Sequence, residues 1–283
     1  MQTRKTAARL LRLGGSVAPA IAVFIGRNMS VEMRANGRKE NMQYGLQLYS
    51  VRDVVPADYQ SALRQVAQMG YAMVETCDDF RSLTAAQVKG WCDANGLTVS
   101  GTHTGAQALA PDVIEQTIRN HHTLGCSLLI IPGHDLTTRE KLDDFIALVE
   151  RARPMLEKEG ITLAYHNHSH EFYPNEDGQI IYDELLSRTG LKLELDTYWA
   201  YNARQDVISL MEKLRGRLVA VHLKDGDAQG NGFPLGQGTA PVVAVRRKAI
   251  EMGVRMVVES ETLQPDGLTE AKACIDFLKT LDD

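Results

Sequence analysis

The chain has 283 residues, 44% of them hydrophobic and 24% charged, the balance of a globular protein and not of a disordered or fibrous one. Lys plus Arg number 31 against 36 Asp plus Glu, a net charge of −5, and no long basic run follows the first forty positions, so nucleic acid is not the expected partner. Cys77, Cys92, Cys126 and Cys274 are widely spaced and contain no C-x-x-C pair, which excludes a dense disulfide framework and leaves reduced, mostly buried thiols as the expectation.

In the first forty residues, Arg4, Lys5, Arg9 and Arg12 precede an apolar run over 16–26, the pattern of an export signal. The run is too short to span a bilayer, and no clear small-x-small cleavage site follows it. Residues 1–42 are therefore expected to be an extension outside the fold, either signal-like or preceding a natural start near Met42, with one domain over 43–283. A cytoplasmic location is expected, with export as the alternative if residues 1–26 act as a signal, and no membrane partner.

From Tyr44 onward, eight short apolar runs alternate with amphipathic stretches, and each run has the character of a buried parallel strand. They cover 44–50, 71–75, 97–103, 127–131, 161–167, 191–196, 218–223 and 254–259. Thr84 stands three before Gln87, and Thr137 three before Glu140, both matching a capping box at a helix start. Gly70, Gly96, Gly160, Gly216 and Gly253 fall between helical stretches and strands, where a chain leaving a helix needs positive φ. Leu142, Phe145, Ile146, Val149, Ala152 and Leu156, and later Ile275, Phe277, Leu278 and Leu281, supply apolar helix faces. Eight βα units without a linker predict an α/β fold, a single (β/α)8 TIM barrel. An open doubly wound sheet would usually carry a Gly-rich loop after its first strand, where this chain reads Gln47-Leu-Tyr-Ser-Val-Arg-Asp53. Gly236-Gln-Gly238 comes after the seventh strand and reads as a turn that binds a phosphate or hydroxyl at most.

The C-terminal ends of barrel strands converge on one mouth, so polar residues ending several apolar strands become neighbours. The third strand ends at His103, the fifth in Tyr165-His-Asn-His-Ser-His-Glu171, the sixth at Asp196, the seventh in His222-Leu-Lys-Asp225 and the eighth at Glu259. Charged and imidazole groups there are costly to desolvate unless paired or ligating a cation. Any one of them alone is more simply a satisfied polar residue. Together, Asp196, His222 and Glu259 with a fourth group from the fifth strand are expected to hold one divalent metal ion, with Mn²⁺, Mg²⁺, Co²⁺ and Zn²⁺ all compatible. His103 and His166 can be bases, substrate donors or structural histidines, and Lys224 can bind a substrate oxygen, stabilise an enolate, or pair with Asp225 or another mouth carboxylate. Trp199 and Tyr198 can stack on a sugar or simply pack, His134 is a substrate contact candidate, and His121-His122, late in a helix, is expected to be exposed and without a catalytic role.

The segments Tyr165-His-Asn-His168 with Glu171-Phe172, Glu194-Leu-Asp-Thr-Tyr-Trp199, Gly216-Arg217, His222-Leu-Lys-Asp225 and Val258-Glu259 together resemble the sugar phosphate isomerase/epimerase family of the xylose-isomerase-like barrel superfamily, over about residues 43–283. The resemblance implies a divalent metal held by Glu, Asp, His and Glu from strands five to eight, the last three matching Asp196, His222 and Glu259. Where relatives have a glutamate inside the fifth strand, this chain reads Tyr165-His166-Asn167-His168. Either Glu171 reaches back as the fourth ligand, the preferred alternative, or His168 replaces it. The implied function is a metal-dependent isomerase, epimerase or lyase acting on a sugar, keto-sugar or polyol through an enediolate, with His168, Glu171, Lys224 and Glu259 in catalysis and His103, His134, His166 and Trp199 on the substrate. The partner is a small-molecule sugar or polyol, with a homo-oligomer allowed. The alternatives are a metal-assisted hydrolase of the endonuclease-like branch, disfavoured by the negative charge, and a non-catalytic sugar-binding barrel.

Overall fold

The computed structural model describes residues 42–77 and 83–282, and the export-signal expectation falls on residues outside that range. In chain order the strands are β1 (Gly45–Gln47), β2 (Met73–Cys77), β3 (Thr98–His103), β4 (Leu128–Ile131), β5 (Thr162–His166), β6 (Lys192–Asp196), β7 (Leu218–Leu223), β8 (Asp225–Gly226), β9 (Gly232–Phe233) and β10 (Arg255–Val258). The helices are α1 (Tyr59–Met69), α2 (Ala85–Ala94), α3 (Ile114–Leu124), α4 (Arg139–Lys158), α5 (Ile181–Arg188), α6 (Thr197–Asn202), α7 (Val207–Lys213), α8 (Val242–Met252) and α9 (Gly267–Thr280). Eight strands close a parallel barrel in the order β1-β10-β7-β6-β5-β4-β3-β2, while β8 and β9 form a separate antiparallel pair. The single TIM barrel is therefore the fold.

All eight expected strands are present, with ends that differ by at most three residues, and the seventh matches at both ends. The largest shift is in the first: after Gln47 the chain turns into a 3-10 helix, Leu48–Val51, whose Tyr49 N–H donates to the Gln47 side chain at 3.1 Å. The box at α2 forms as read, Gln87 N–H donating to Thr84 Oγ1 and Thr84 N–H to Gln87 Oε1. The one at α4 does not. Thr138 is the cap, taking the Lys141 N–H at 3.3 Å, whereas Thr137 donates its own N–H and hydroxyl to Asp135. The five junction glycines all have left-handed φ, between 64° and 104°.

Strand alternation divides the side chains between two environments. Outward ones meet the helices, as where Leu142, Phe145, Val149 and Leu156 of α4 join Leu129, Ile131 and Leu163 in the main core. A second cluster, Leu128, Ile130 and Ala164, lies apart from it. Gly101 shows that Ile130 shares the barrel interior with Glu75: a Cβ at that position would stand 2.8 Å from both Ile130 Cδ1 and Glu75 Oε2. Glycine there lets β3 pass beside a buried carboxylate.

His121 corrects the expectation of an exposed helix-end cation. His122 is exposed, but His121 is buried between α3 and the sheet. Its Nδ1 lies 3.0 Å from the Cys126 carbonyl, and its Nε2 3.0 Å from the Thr102 hydroxyl, which itself accepts from Thr104. A neutral ring satisfies every partner: Nδ1–H donates to the carbonyl, and Nε2 accepts from Thr102. Burial lowers its pKa to about 4. Between about pH 6.5 and 4 the unfolded chain therefore takes up a proton that the folded one refuses, so stability falls as pH falls through that window and levels off below it. We expect His121→Gln to remove a pH-dependent contribution on the order of 3 kcal/mol. Denaturant unfolding of both proteins at pH 7 and pH 4.5 checks this, and equal pH slopes would contradict it.

Candidate active site at the barrel mouth

The mouth is assembled from strand register. Asp196 pairs with His222 across β6 and β7, His222 with Val257 across β7 and β10, and His166 with Glu194 across β5 and β6. Asp196 ends β6 and caps α6: its Oδ1 takes the Trp199 N–H at 2.9 Å, while its Oδ2 is buried without a hydrogen-bond donor. Asn167 clamps this strand end, its Oδ1 accepting the Asp196 N–H and its Nδ2 donating to the Asp196 carbonyl. Thr197 donates to the His222 carbonyl at 2.7 Å. His222 Nδ1 lies 3.3 Å from Glu259 Oε2. Lys224, itself buried, holds Nζ 3.2 Å from Glu259 Oε2, 2.8 Å from Glu261 Oε2 and 3.8 Å from Asp196 Oδ2, with the Trp199 ring centroid 4.7 Å away.

One layer deeper lie Glu75, Glu194 and His103. Glu75 Oε1 is 2.8 Å from His222 Nε2, 3.1 Å from His103 Nε2, and accepts from Gln47 Nε2 at 2.8 Å. Glu194 Oε2 lies 2.7 Å from His103 Nε2, 3.2 Å from His166 Nδ1 and 3.1 Å from His222 Nε2. Neither carboxylate was read as a site residue from the sequence. The available signal was alternation: Glu194 stands two before Asp196 and so shares its face of the strand.

Burial and charge pull these groups in opposite directions. Desolvation works against a charged His222, but Glu194, Glu259 and Glu75 outweigh it and hold its pKa well above the usual imidazole range. The same contest, won by Glu75 and Glu194, brings His103 up to about 9. His166 goes the other way, to about 3, because burial prevails there. Burial also lowers His168. Burial, opposed by Lys224 and reinforced by Glu259, lifts Asp196 to about 7. Against burial, Lys224 and His222 keep Glu259 well below the usual carboxylate range, and the carboxylates keep Lys224 above the usual amine range.

Two groups of side chains at the mouth bring metal-ligand atoms within 4.8 Å of one another: His166, Asp196, His222 and Glu259, and, sharing two of these, His103, His166, Glu194 and His222. The first unites Asp196, His222 and Glu259 with a fifth-strand residue. In that group the fifth-strand residue is His166, the last of β5. Glu171 sits in a 3-10 turn, fully buried, accepting from Tyr165 Oη at 2.9 Å and from the His168 N–H at 2.8 Å, and groups instead with His168 and His170. A residue beyond the strand end has left the ring of strand termini, and its carboxylate is already engaged.

A cavity of about 410 Å³ opens above, lined by His103, His166, His168, Glu259, Glu261 and Tyr49 among others. His134 is exposed, stacks on Phe145 at 5.0 Å and is not among the lining residues. Trp199 is partly buried under Lys224, 6.0 Å from the His168 ring. Lys224 pairs with Glu259, Glu261 and Asp196 and not with Asp225. Asp225 serves the following loop: its carboxylate accepts the N–H groups of Gly226, Gly236, Gly238 and Ala240 at 2.8 to 3.2 Å. The Gly236-Gln-Gly238 turn thus has its anion built in, which corrects the reading of it as a phosphate or hydroxyl cradle. No disulfide joins the four cysteines, and among the described residues no helix is long and apolar enough to cross a membrane.

Residues 63–281 match the family described as xylose isomerase-like TIM barrel. Among solved structures, a sugar phosphate isomerase/epimerase from Parabacteroides distasonis is similar with 22% identity and a TM-score of 0.72, covering 88% of this chain and 97% of that one. A probable 3-DHS dehydratase from Bacillus anthracis shares 12% identity at a TM-score of 0.66, covering 84% of this chain and 99% of that one. D-psicose 3-epimerase from Clostridium cellulolyticum shares 16% at 0.63, covering 86% and 100%. At these identities the structural likeness is one of fold. A comparison with curated proteins gives no match.

Proposed function

We propose that this chain, which belongs to the xylose isomerase-like TIM barrel family, is a divalent-metal-dependent isomerase, epimerase or lyase acting on a sugar, keto-sugar or polyol. The observation that carries this reading is the convergence of His166, Asp196, His222 and Glu259 from four neighbouring strand ends. With Asp196 Oδ2 buried and lacking a donor, the set fits a cation: two imidazoles and two carboxylates suit Mn²⁺, Mg²⁺, Co²⁺ or Zn²⁺. When bound, such an ion supplies Lewis acidity to a carbonyl and a neighbouring hydroxyl, making the C–H between them acidic enough to ionise to an enediolate.

The chain's own residues supply the rest. His168 lines the cavity, and burial lowers its pKa and so favours the neutral imidazole, the form that can take that proton. Glu171 holds the His168 backbone by its 2.8 Å bond and orients the base without touching substrate. The Lys224 ammonium, between Glu259 and Glu261, places a positive charge beside the developing oxyanion. Return of the proton to the opposite face epimerises the carbon, return to its neighbour isomerises the sugar, and departure of a β-hydroxyl eliminates water.

The test is exchange of the carbon-bound proton of keto-sugars in D2O. We expect deuterium next to the carbonyl, abolished by EDTA and restored by metal. His168→Gln should lower exchange on the order of 10²- to 10⁴-fold with metal content unchanged. Loss of metal in His168→Gln would make it a ligand and end its role as base. A metal-replete protein that binds keto-sugars without exchange would favour the non-catalytic barrel.

A further inference from the structure

We propose that Glu75 and Glu194 act as positioning residues, a buried carboxylate layer that fixes the tautomers of His166 and His222 so that each turns its other nitrogen toward Asp196 and Glu259. The inference rests on the metal-dependent reading above for its consequence, though not for its geometry.

An ionised carboxylate only accepts hydrogen bonds, so an imidazole nitrogen within reach of one carries the proton. His222 Nε2 stands 2.8 Å from Glu75 and 3.1 Å from Glu194, and His166 Nδ1 stands 3.2 Å from Glu194. The proton of His222 therefore belongs on Nε2 and that of His166 on Nδ1. That leaves the lone pairs on His222 Nδ1 and His166 Nε2. In the metal-free protein a doubly protonated His222 donates from Nδ1 to Glu259 Oε2 at 3.3 Å; in the singly protonated form that Glu75 and Glu194 select, the same nitrogen offers its lone pair on that side. Both residues belong to the group His166, Asp196, His222 and Glu259, whose ligand-type atoms all lie within 4.8 Å of one another and which would hold the ion.

The layer is itself held. Gln47 donates to Glu75 from the residue registered beside it on β1, and His103 Nε2 reaches both carboxylates. Glu75 and Glu194 are fully buried, so a substituted partner is not replaced by bulk water. Outer hydrogen-bond partners of ligating histidines commonly contribute 10- to 100-fold to metal affinity.

The experiment uses the full chain labelled with ¹⁵N-histidine, with Zn²⁺ as the diamagnetic probe. Long-range ¹H–¹⁵N correlation should place the His166 proton on Nδ1 in the metal-free protein and the His222 proton on Nε2 once Zn²⁺ is bound. Glu75→Gln and Glu194→Gln should raise the Zn²⁺ Kd about 10- to 100-fold while the stoichiometry stays at one. The opposite tautomer of either histidine, or Zn²⁺ affinities within twofold of wild type in both folded variants, overturns the proposal. So does a stoichiometry of two that Glu75→Gln reduces to one, since the layer would then be a metal site itself. If wild type binds no Zn²⁺, the metal-dependent reading fails, and the His166 tautomer still judges the layer. That readout needs no variant to fold.

Discussion

Asp196→Asn is expected to weaken divalent-metal binding on the order of 10²-fold or more, beyond what an outer hydrogen-bond partner contributes, while making the metal-free protein more stable above neutral pH. The two effects have one cause. Burial, opposed by Lys224 and reinforced by Glu259, lifts the Asp196 carboxyl from 3.8 to about 7. A carboxyl with a raised folded pKa loses stability as pH climbs from the unfolded value through the folded one, so above about pH 7 the metal-free wild type carries the whole penalty. Asparagine removes that charge and can keep the cap to Trp199 through its amide oxygen. Asp196→Ala should lose metal as well, and in addition about 1 kcal/mol with the cap. Melting with and without metal, at pH 6 and pH 8, separates the cases: at 100 times its Kd a metal adds about 2.7 kcal/mol to wild type, and little of this should survive in either variant. Undiminished metal content in both would remove Asp196 from the site.

Lys224→Met is expected to destabilise the metal-free protein on the order of 3–5 kcal/mol, the usual consequence of leaving buried partners of an ion pair uncompensated. The ammonium lies within 4 Å of Asp196, Glu259 and Glu261, and methionine matches its stem while withdrawing the charge. A bound divalent cation would neutralise Asp196 and Glu259 directly, so metal should restore part of the loss. Turnover should not recover, because the charge beside the oxyanion is gone. Chemical denaturation with and without metal measures the first effect. A loss under about 1 kcal/mol, or one indifferent to metal, would show that the carboxylates do not depend on Lys224.

The barrel was legible because apolar strands and glycine-ended helices repeat, and repetition tolerates error at each boundary. The site was legible only at strand ends. Asp196, His222 and Glu259 are polar residues that interrupt or end apolar runs, and the structure brings them together. His166 was seen but given to substrate, since a carboxylate was sought as the fourth ligand and Glu171 was the nearest. Glu171 lies three residues past His168, where the backbone has turned into a 3-10 helix, and it groups with His168 and His170. Glu75 ends the second expected strand and Glu194 lies inside the sixth; in the structure both lie within strands. Their partners are imidazoles contributed by other strands, and no local pattern reports a contact such as Glu75 to His222, 147 residues apart. Thr138 displaces Thr137 as a cap for a local reason, Asp135 two residues earlier having already claimed the Thr137 hydroxyl.

The anchoring of the loop after β7 has an evolutionary corollary. Four backbone N–H groups hang from the Asp225 carboxylate, and a side chain on residue 238 would collide with it, a Cβ there standing 2.2 Å from Oδ1. Asp225 and Gly238 are thus coupled: a side chain at 238 would meet the Asp225 carboxylate and also the Gly226 backbone nitrogen, so a lineage that loses the glycine cannot seat the aspartate in this loop. Between them, 227–235 form a segment held at both ends by one carboxylate, and also by the buried Leu235, whose N–H donates to Cys274 Sγ, and by the Tyr198 hydroxyl on the Asp227 and Asn231 carbonyls, so only its exposed side chains at Gln229, Asn231 and Phe233 can drift. Diversification of substrate preference among relatives that retain this pair is expected to concentrate there.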